Sequence, residues 1–324
     1  MNIEIITTKN ESLKEPGFGT LQVCNSILDS INAIGHSAII TVCQTLEELN
    51  DVVKRKPDLV ILAVKYILTS NEETIWLSEF FAENSINFSG SSRSTLMYDS
   101  DKVLAKSFLK DKSISTPRYF TAIPGEYKRD FDIPINYPLF LKPSDTVNGH
   151  GLDESSLVNN FSEFESKVLS LYSMYKVPVL IEEHLEGQAF SVAMIKKRNG
   201  ELLVSALEIV PLVVKNESMG LGQKIKKDNI EKIKIIEDNI MLDSVKRLAI
   251  DVFLDLEIRD YGRVDIKSNK NGQCFFIGVD LVPQMTNGSS YFPKAFEMEH
   301  GLNYEEIVEL IVDEGISRVS LTSD

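Results

Sequence analysis

The sequence predicts an α/β fold, with a parallel βαβ layer at the N-terminus and mixed α+β structure through the rest of the chain. Three observations carry this expectation. Short β runs alternate with apolar residues at helical spacing up to about Ser94. Residues 58–64 form a continuous apolar run of the kind buried on both faces of a parallel sheet. In the last quarter, Tyr261-Gly-Arg-Val-Asp-Ile-Lys267 and Phe275-Phe-Ile-Gly-Val-Asp-Leu-Val-Pro283 read as two apolar strands joined by a polar turn.

Taken in order, residues 3–6 are the first strand, Leu21, Cys24, Leu28 and Ile31 recur at helical spacing, and residues 38–42 are β again. Residues 72–83 read as a helix with Ile75, Trp76, Phe80 and Phe81 on its apolar side. Gly17-Phe-Gly19 lies between the first strand and the first helix and invites a dinucleotide-binding reading. The third glycine of that fingerprint falls on Gln22, however, and the loop is too long for a tight strand-to-helix turn. A flexible loop over the sheet edge is expected there instead.

A second unit opens with residues 99–109, an amphipathic helix with Asp99 or Ser100 as its N-cap. Strands follow at 137–142 and 177–183, separated by a glycine-containing polar loop and a helix over 162–174. A strand near 202–210, a polar insertion to about Lys234, a long helix over 239–253, the two strands above and a helix over 304–314 complete the chain. The Lys/Glu-rich stretch 224–238 is expected to be a solvated helix face or a mobile flap.

Composition narrows the function classes. A chain of 324 residues can bury a large core and has the length of about two domains. A formal net charge of −14 argues against general nucleic-acid binding, which needs clustered Lys and Arg. The start, Met1-Asn-Ile-Glu-Ile-Ile, lacks the pattern of a signal peptide, and no apolar run has the length of a membrane span, so a cytoplasmic protein is expected. Cys24, Cys43 and Cys274 are an odd number, widely spaced and flanked by apolar residues, which predicts buried free thiols.

Several segments could carry chemistry. The strand pair near the C-terminus would bring Arg263, Asp265 and Asp280 together, a site for a metal bound to polyphosphate; magnesium needs few carboxylates when phosphates complete its shell. Strand-end surface residues are the alternative. Lys142 ends an apolar strand and precedes Asp145-Thr-Val-Asn-Gly149-His-Gly151, whose glycines would let backbone N–H groups approach phosphate oxygens. A snorkelling surface lysine is the alternative there. No P-loop sequence is present. Val177-Pro-Val-Leu-Ile-Glu182-Glu183-His184-Leu185 could end in a hinge for an adenine edge, with backbone groups near Glu183 and Leu185 and a side-chain acceptor at Glu182. His184 has no second histidine at metal spacing and is expected to be structural.

In this order, the segments resemble the ATP-grasp superfamily and, within it, the D-alanine:D-alanine ligase-like carboxylate–amine ligases. The resemblance covers nearly the whole chain, strongly from Phe88 onward and weakly before Asp58. It implies an ATP-grasp fold with an N-terminal parallel βαβ domain, divided as 1–94, 95–184 for the central subdomain and 185–324 for the catalytic part. Lys102 and Lys142 match the lysines that hold ATP phosphates, and Asn148, Gly149 and Gly151 fall in the loop that closes over them. Glu182, Glu183 and Leu185 match the adenine hinge, Arg263 the arginine used on the tetrahedral intermediate, and Asp265 the first magnesium ligand. Ser289, Ser290 and Tyr291 occupy the second-substrate region, with one residue inserted.

The implied activity is amide or peptide bond formation with ATP and Mg2+, through an acyl phosphate, on small amino acid or carboxylate substrates. The implied partners include neither nucleic acid nor membrane, and a homodimer is compatible with the resemblance. The chain departs from the family at several positions. The family's Glu-x-Asn metal pair falls on Gly278 and Asp280, its oxyanion-hole glycine on Gln284 and its ribose-binding acid on Ala189. Glu15 is no secure counterpart of the glutamate that grips the first D-alanine. These departures argue against D-alanyl-D-alanine synthesis itself and leave a nucleotide-binding pseudo-ligase as the rival expectation.

Overall fold

In the computed structural model the described residues are 1–9, 17–71, 73–145, 153–211 and 231–320. The first sheet forms around β1 (Asn2–Thr7), which pairs in parallel with β2 (Ser37–Val42) on one side and β3 (Leu59–Leu62) on the other. All four residues of β3 are buried, as a central parallel strand covered on both faces requires. Helix α1 (Leu21–Ala33) turns Val23, Cys24, Ile27 and Ile31 inward. Helix α2 (Leu46–Arg55), not expected from periodicity, starts at a capping box in which Thr45 and Glu48 satisfy each other's backbone N–H groups.

The helix expected over 72–83 is shorter in the structure. Residues 74–76 instead form β5 (Thr74–Trp76), antiparallel to β4 (Tyr66–Leu68), and α3 (Leu77–Glu83) begins only afterwards. A β-branched and aromatic run favours the strand, and the Tyr66 and Trp76 rings pair across it at 5.3 Å. The expected N-cap is also displaced. Asp99 and Ser100 belong to α4 (Arg93–Ser100), and Asp101 caps α5 (Lys102–Asp111) by accepting from the N–H groups of Val103 and Leu104.

A second, antiparallel sheet has the order β6-β9-β7-β8, from β6 (Tyr119–Ala122), β7 (Leu139–Pro143), β8 (Leu157–Val158) and β9 (Val179–Glu183). Helix α6 (Phe161–Tyr175) covers it, and Phe164, Val168 and Leu171 pack on Leu139, Leu141 and Ile181 in a core of their own.

The third sheet is antiparallel with order β12-β11-β10-β13-β14. It comprises β10 (Ala189–Lys196), β11 (Leu202–Pro211), β12 (Glu231–Ile235), β13 (Tyr261–Ser268) and β14 (Cys274–Asp280), backed by α7 (Asn239–Asp255). Central strand β10 was not expected from the sequence, although Phe190 through Ile195 are all buried. Strand β12 takes up part of the stretch expected as a solvated helix or flap, because its residues complete the ladder on β11; residues 212–230 lie outside the described residues. Helices α8 (Tyr291–His300) and α9 (Tyr304–Ser320) close the chain, α8 unanticipated and α9 longer than expected.

The first and third sheets share one core, in which Ile3, Ile5 and Phe18 join Tyr261, Phe292 and Phe296. The Gly17–Gly19 segment is therefore pinned rather than flexible. Phe18 is buried, its N–H donates to Ala63 O at 2.9 Å, and its carbonyl accepts from Met285 N at 2.9 Å. Gly17 has φ 57°, and a Cβ there would lie 2.0 Å from Ala63 O, so the close approach requires glycine. Among the described residues the three cysteines are free; Cys24 and Cys43 are buried as expected, whereas Cys274, opening β14 near the sheet edge, is only half-buried. No helix of the described residues is long and apolar enough to cross a membrane.

Candidate active site

Two neighbouring strands of the second sheet and helix α5 meet at Glu182 on β9. Lys142, at the end of the neighbouring β7, places Nζ 2.8 Å from Glu182 Oε2, and Lys106 of α5 places Nζ 2.7 Å from Oε1. Lys106 is wholly buried and also donates to Phe276 O on β14 at 3.2 Å. Charges removed from water persist only when paired, and here one carboxylate serves two ammonium groups. Burial alone would raise the Glu182 carboxyl, yet the Lys106 and Lys142 charges more than offset it and hold it at about 2. Burial pushes Lys106 down to about 8 against the opposing pull of Glu182. Sequence reasoning missed Lys106. Its signal was a charged residue on the same face of α5 as Ala105 and Leu109, both buried.

Lys102 stands at the first turn of α5, where its backbone N–H reaches Ser144 O at 3.3 Å. Part of its stem is accessible, but Nζ is enclosed and has no hydrogen-bond partner among the described residues. Burial, reinforced by the Lys142 charge, pushes this ammonium down to about 7. An enclosed ammonium without an acceptor, beside a second lysine, fits an anionic group such as phosphate. Asn148, Gly149 and Gly151, expected to close over that phosphate, lie outside the described residues, as does Glu15.

The hinge differs from expectation in which groups are available. Glu182 is engaged by two lysines and does not offer a spare acceptor to a purine. Glu183 is likewise occupied: its N–H donates to Arg118 O at 2.9 Å, and its carboxylate accepts from Arg118 N and Nε, both at 2.8 Å. Leu185 lies just beyond the end of β9 and is buried. His184 donates its backbone N–H to Pro138 O at 3.2 Å, and burial lowers its imidazole, consistent with a structural residue. Gly187 is pressed against β13, where a Cβ would stand 2.4 Å from Ser268 O.

On β13, Arg263 and Asp265 are two residues apart and share a face; Asp280 pairs with Arg263 across the ladder to β14. Arg263 Nε and Nη2 donate to Asp265 Oδ1 and Oδ2 at 3.1 and 3.2 Å, and Nη1 lies 3.3 Å from Asp280 Oδ2. The guanidinium is thus a fork between two carboxylates. Burial disfavours its charge, but Asp265 and Asp280 more than offset this and raise its pKa. Burial raises the Asp280 carboxyl to about 6, against the lowering pull of Arg263. Ser191, opposite Asp265 on β10, donates to Asp265 Oδ1 at 3.1 Å and was not anticipated because β10 was not.

The donor chemistry fits magnesium: two hard carboxylates suffice for one ion whose remaining positions go to phosphate and water. Among the described residues no group of three His, Cys, Asp or Glu side chains forms a metal cage. Gly278, opposite Asp265, lacks a carboxylate, and a Cβ built there would meet nothing within 4 Å. Gly278→Glu is therefore expected to fold normally and to add a second metal ion to the nucleotide complex. Metal counting by mass spectrometry of the native complex checks this, and an unchanged count would refute it.

Ser289, Ser290 and Tyr291 gather at the start of α8. Ser289 is exposed, whereas Ser290 is nearly enclosed by a turn in which its Oγ accepts from Thr286 N at 3.0 Å. The Tyr291 ring lies 5.8 Å from the Arg263 guanidinium, and its hydroxyl donates to Glu231 at the start of β12. Glu231 was not foreseen as a neighbour of the site. Gln284 is half-buried, and Ala189 opens β10 in the ladder with Lys267.

The chain is similar to known proteins in sequence and in fold. Residues 110–313 match the family model described as D-ala D-ala ligase C-terminus. D-alanine–D-alanine ligase B of Clostridium perfringens is 26% identical over 220 residues, 67% of this chain and 68% of that protein. The D-alanine–D-alanine ligase of Aquifex aeolicus is 24% identical over 257 residues, covering 79% and 82%. An uncharacterized protein of Sinorhizobium fredii is 24% identical over 66% of this chain, and the match spans 61% of its own length. Among solved structures, D-alanine–D-alanine ligase from Bacillus anthracis complexed with ATP superposes with a TM-score of 0.76 at 20% identity, covering 100% of this chain and 99% of that one. The VanG D-Ala:D-Ser ligase of Enterococcus faecalis gives 0.73 at 18%, covering 97% and 99%. The fold is the ATP-grasp fold with an N-terminal parallel layer.

Proposed function

The chain belongs to the family of the D-ala D-ala ligase C-terminus, and from that premise we propose an ATP-dependent carboxylate–amine ligase. It joins a small amino acid or related metabolite to an amine through an acyl phosphate. The observation that carries this reading is the enclosed ammonium of Lys102, without an acceptor among the described residues, beside the Lys142–Glu182–Lys106 cluster. An anion such as phosphate would give that ammonium its partner.

In this reading Lys102 and Lys142 hold the nucleotide phosphates. Glu182 and Lys106 fix the reach of Lys142, and Leu185 offers backbone to the adenine. Asn148, Gly149 and Gly151 would approach the phosphates through their backbone. Asp265 and Asp280 would hold magnesium, which would supply charge neutralisation at the phosphates. Arg263 clamps the oxyanion that develops when the amine attacks the acyl phosphate, so the chain's contribution is positioning and charge stabilisation. Ser289, Ser290 and Tyr291 border the amine. In this reading the parts are 1–94, with the parallel sheet and the β4–β5 pair, and 95–184 and 185–324, with one antiparallel sheet each. ATP dependence implies work in the cytoplasm on small molecules.

The test is ADP release from ATP over pooled amino acids and carboxylic acids, with mass spectrometry of any product. Release that depends on a substrate pair is expected; tight ATP binding without turnover across the pools would favour a pseudo-ligase instead. Lys142→Met is expected to weaken ATP binding about ten- to a hundredfold, the loss of one charge-assisted contact. The fold should survive because Glu182 keeps Lys106. Unchanged affinity in a calorimetric titration would remove Lys142 from the site.

The depressed Lys102 ammonium gives a pH signature. Held at about 7, it is largely neutral at about pH 8 in the free protein. Phosphate beside it favours the charged form, so ATP binding should take up close to one proton at that pH. Calorimetry in two buffers of different ionisation enthalpy measures this directly. Lys102→Met should abolish the uptake, and identical apparent enthalpies for the unmodified protein in both buffers would contradict the assignment.

A further inference from the structure

A buried ion pair links the N-terminal layer to the end of the strand that carries Asp280. Lys65, in the segment between β3 and β4, places Nζ 2.8 Å from Asp99 Oδ2, and both side chains are almost completely buried. The same carboxylate oxygen accepts from the backbone N–H of Leu281 at 2.7 Å. Leu281 follows Asp280 directly, at the point where β14 has ended and the ladder no longer supplies a partner. Asp99 sits in the last turn of α4, where the helix dipole disfavours a carboxylate. Helix formation does not explain it. Nor does stability, since a buried ion pair is a weak stabiliser compared with packed apolar residues.

We propose that Asp99, neutralised by Lys65, is a positioning residue that holds the Leu281 amide and thereby fixes Asp280 for the cation–nucleotide complex. The proposal rests on the ligase reading and concerns how this chain compensates at Gly278. With no side chain there and open space around it, the strand offers no second carboxylate to share the ion. The position of Asp280 then depends on what anchors the backbone beside it. Asp99 acts from outside the ion's reach, because no third acidic side chain joins Asp265 and Asp280 in a metal cage among the described residues.

Two charge-neutral double variants isolate the anchor. K65M/D99N keeps an oxygen for the Leu281 N–H, whereas K65M/D99A removes it; K65M/D99L serves instead if the alanine variant does not fold. Binding of Mn2+ is measured by electron paramagnetic resonance in the presence of a nonhydrolysable ATP analogue, and analogue affinity is measured separately with EDTA. The expected result is Mn2+ affinity within about threefold of the unmodified protein for K65M/D99N and weaker by about tenfold or more for the variant lacking the acceptor. Analogue affinity without metal should be alike in both, a split that general loosening of the fold would not produce. Equal Mn2+ affinities in the two folded variants would overturn the proposal alone. Failure of the unmodified protein to bind the analogue would overturn it together with the ligase reading.

Discussion

Arg263→Lys is expected to lower turnover by about a hundredfold while ATP affinity stays within about threefold. In the structure one guanidinium reaches both oxygens of Asp265 and also Asp280. An ammonium is a point charge that cannot span this fork, so it can hold one carboxylate or the other. The loss should fall on the step in which charge develops, because a planar fork is what clamps two oxygens of a tetrahedral oxyanion. Steady-state kinetics with an established substrate pair, together with an ATP titration, separates the effects. Equal loss of nucleotide binding and rate would place Arg263 on the nucleotide instead.

Glu182→Gln should destabilise the folded chain by about 3–5 kcal/mol, the cost typical of removing one partner from a buried ion pair. The amide keeps one oxygen to accept from Lys106 or Lys142 but carries no charge, so two buried ammonium groups lose the carboxylate that neutralises them. Urea denaturation at neutral pH measures the difference. The pH dependence adds a second readout. The Glu182 carboxyl is depressed to about 2 from an ordinary value of 4.5. Its contribution is therefore fully present above about pH 4.5 and is lost as the pH falls towards about 2. The Gln variant should lack that part of the acid-induced loss, and a parallel acid profile in both proteins would refute the pairing.

Much of the architecture was legible because local periodicity encodes it. The parallel run at β3, the helix α1, the strand pair β13 and β14 and the long α7 all appear close to where the sequence placed them. Errors arose where local preference and context diverged. The Thr74–Trp76 run carries apolar residues compatible with helical spacing, but pairing with Tyr66–Leu68 makes it a strand. Strand β10 escaped notice because a short apolar run without alternation gives no period, even though it became the centre of the third sheet.

The sequence by itself determined which residues could form the site. Arg263 and Asp265 must share a face of one strand because side chains alternate with a period of two, and the turn that follows returns Asp280 to the same pair of strands. Lys142 and Glu182 were likewise readable as polar groups set in apolar strands. Only the tertiary structure decided which charges neutralise which. Lys106 completes Glu182 from another element, Ser191 supports Asp265 across a ladder, Asp99 reaches the Leu281 amide from α4, and Phe18 pins a glycine segment that looked mobile. The physical reason is the range of the interactions. Backbone propensity and amphipathic spacing act over a few residues and are written in the local sequence, whereas the pairing of a buried charge depends on which distant surfaces are pressed together when water is removed.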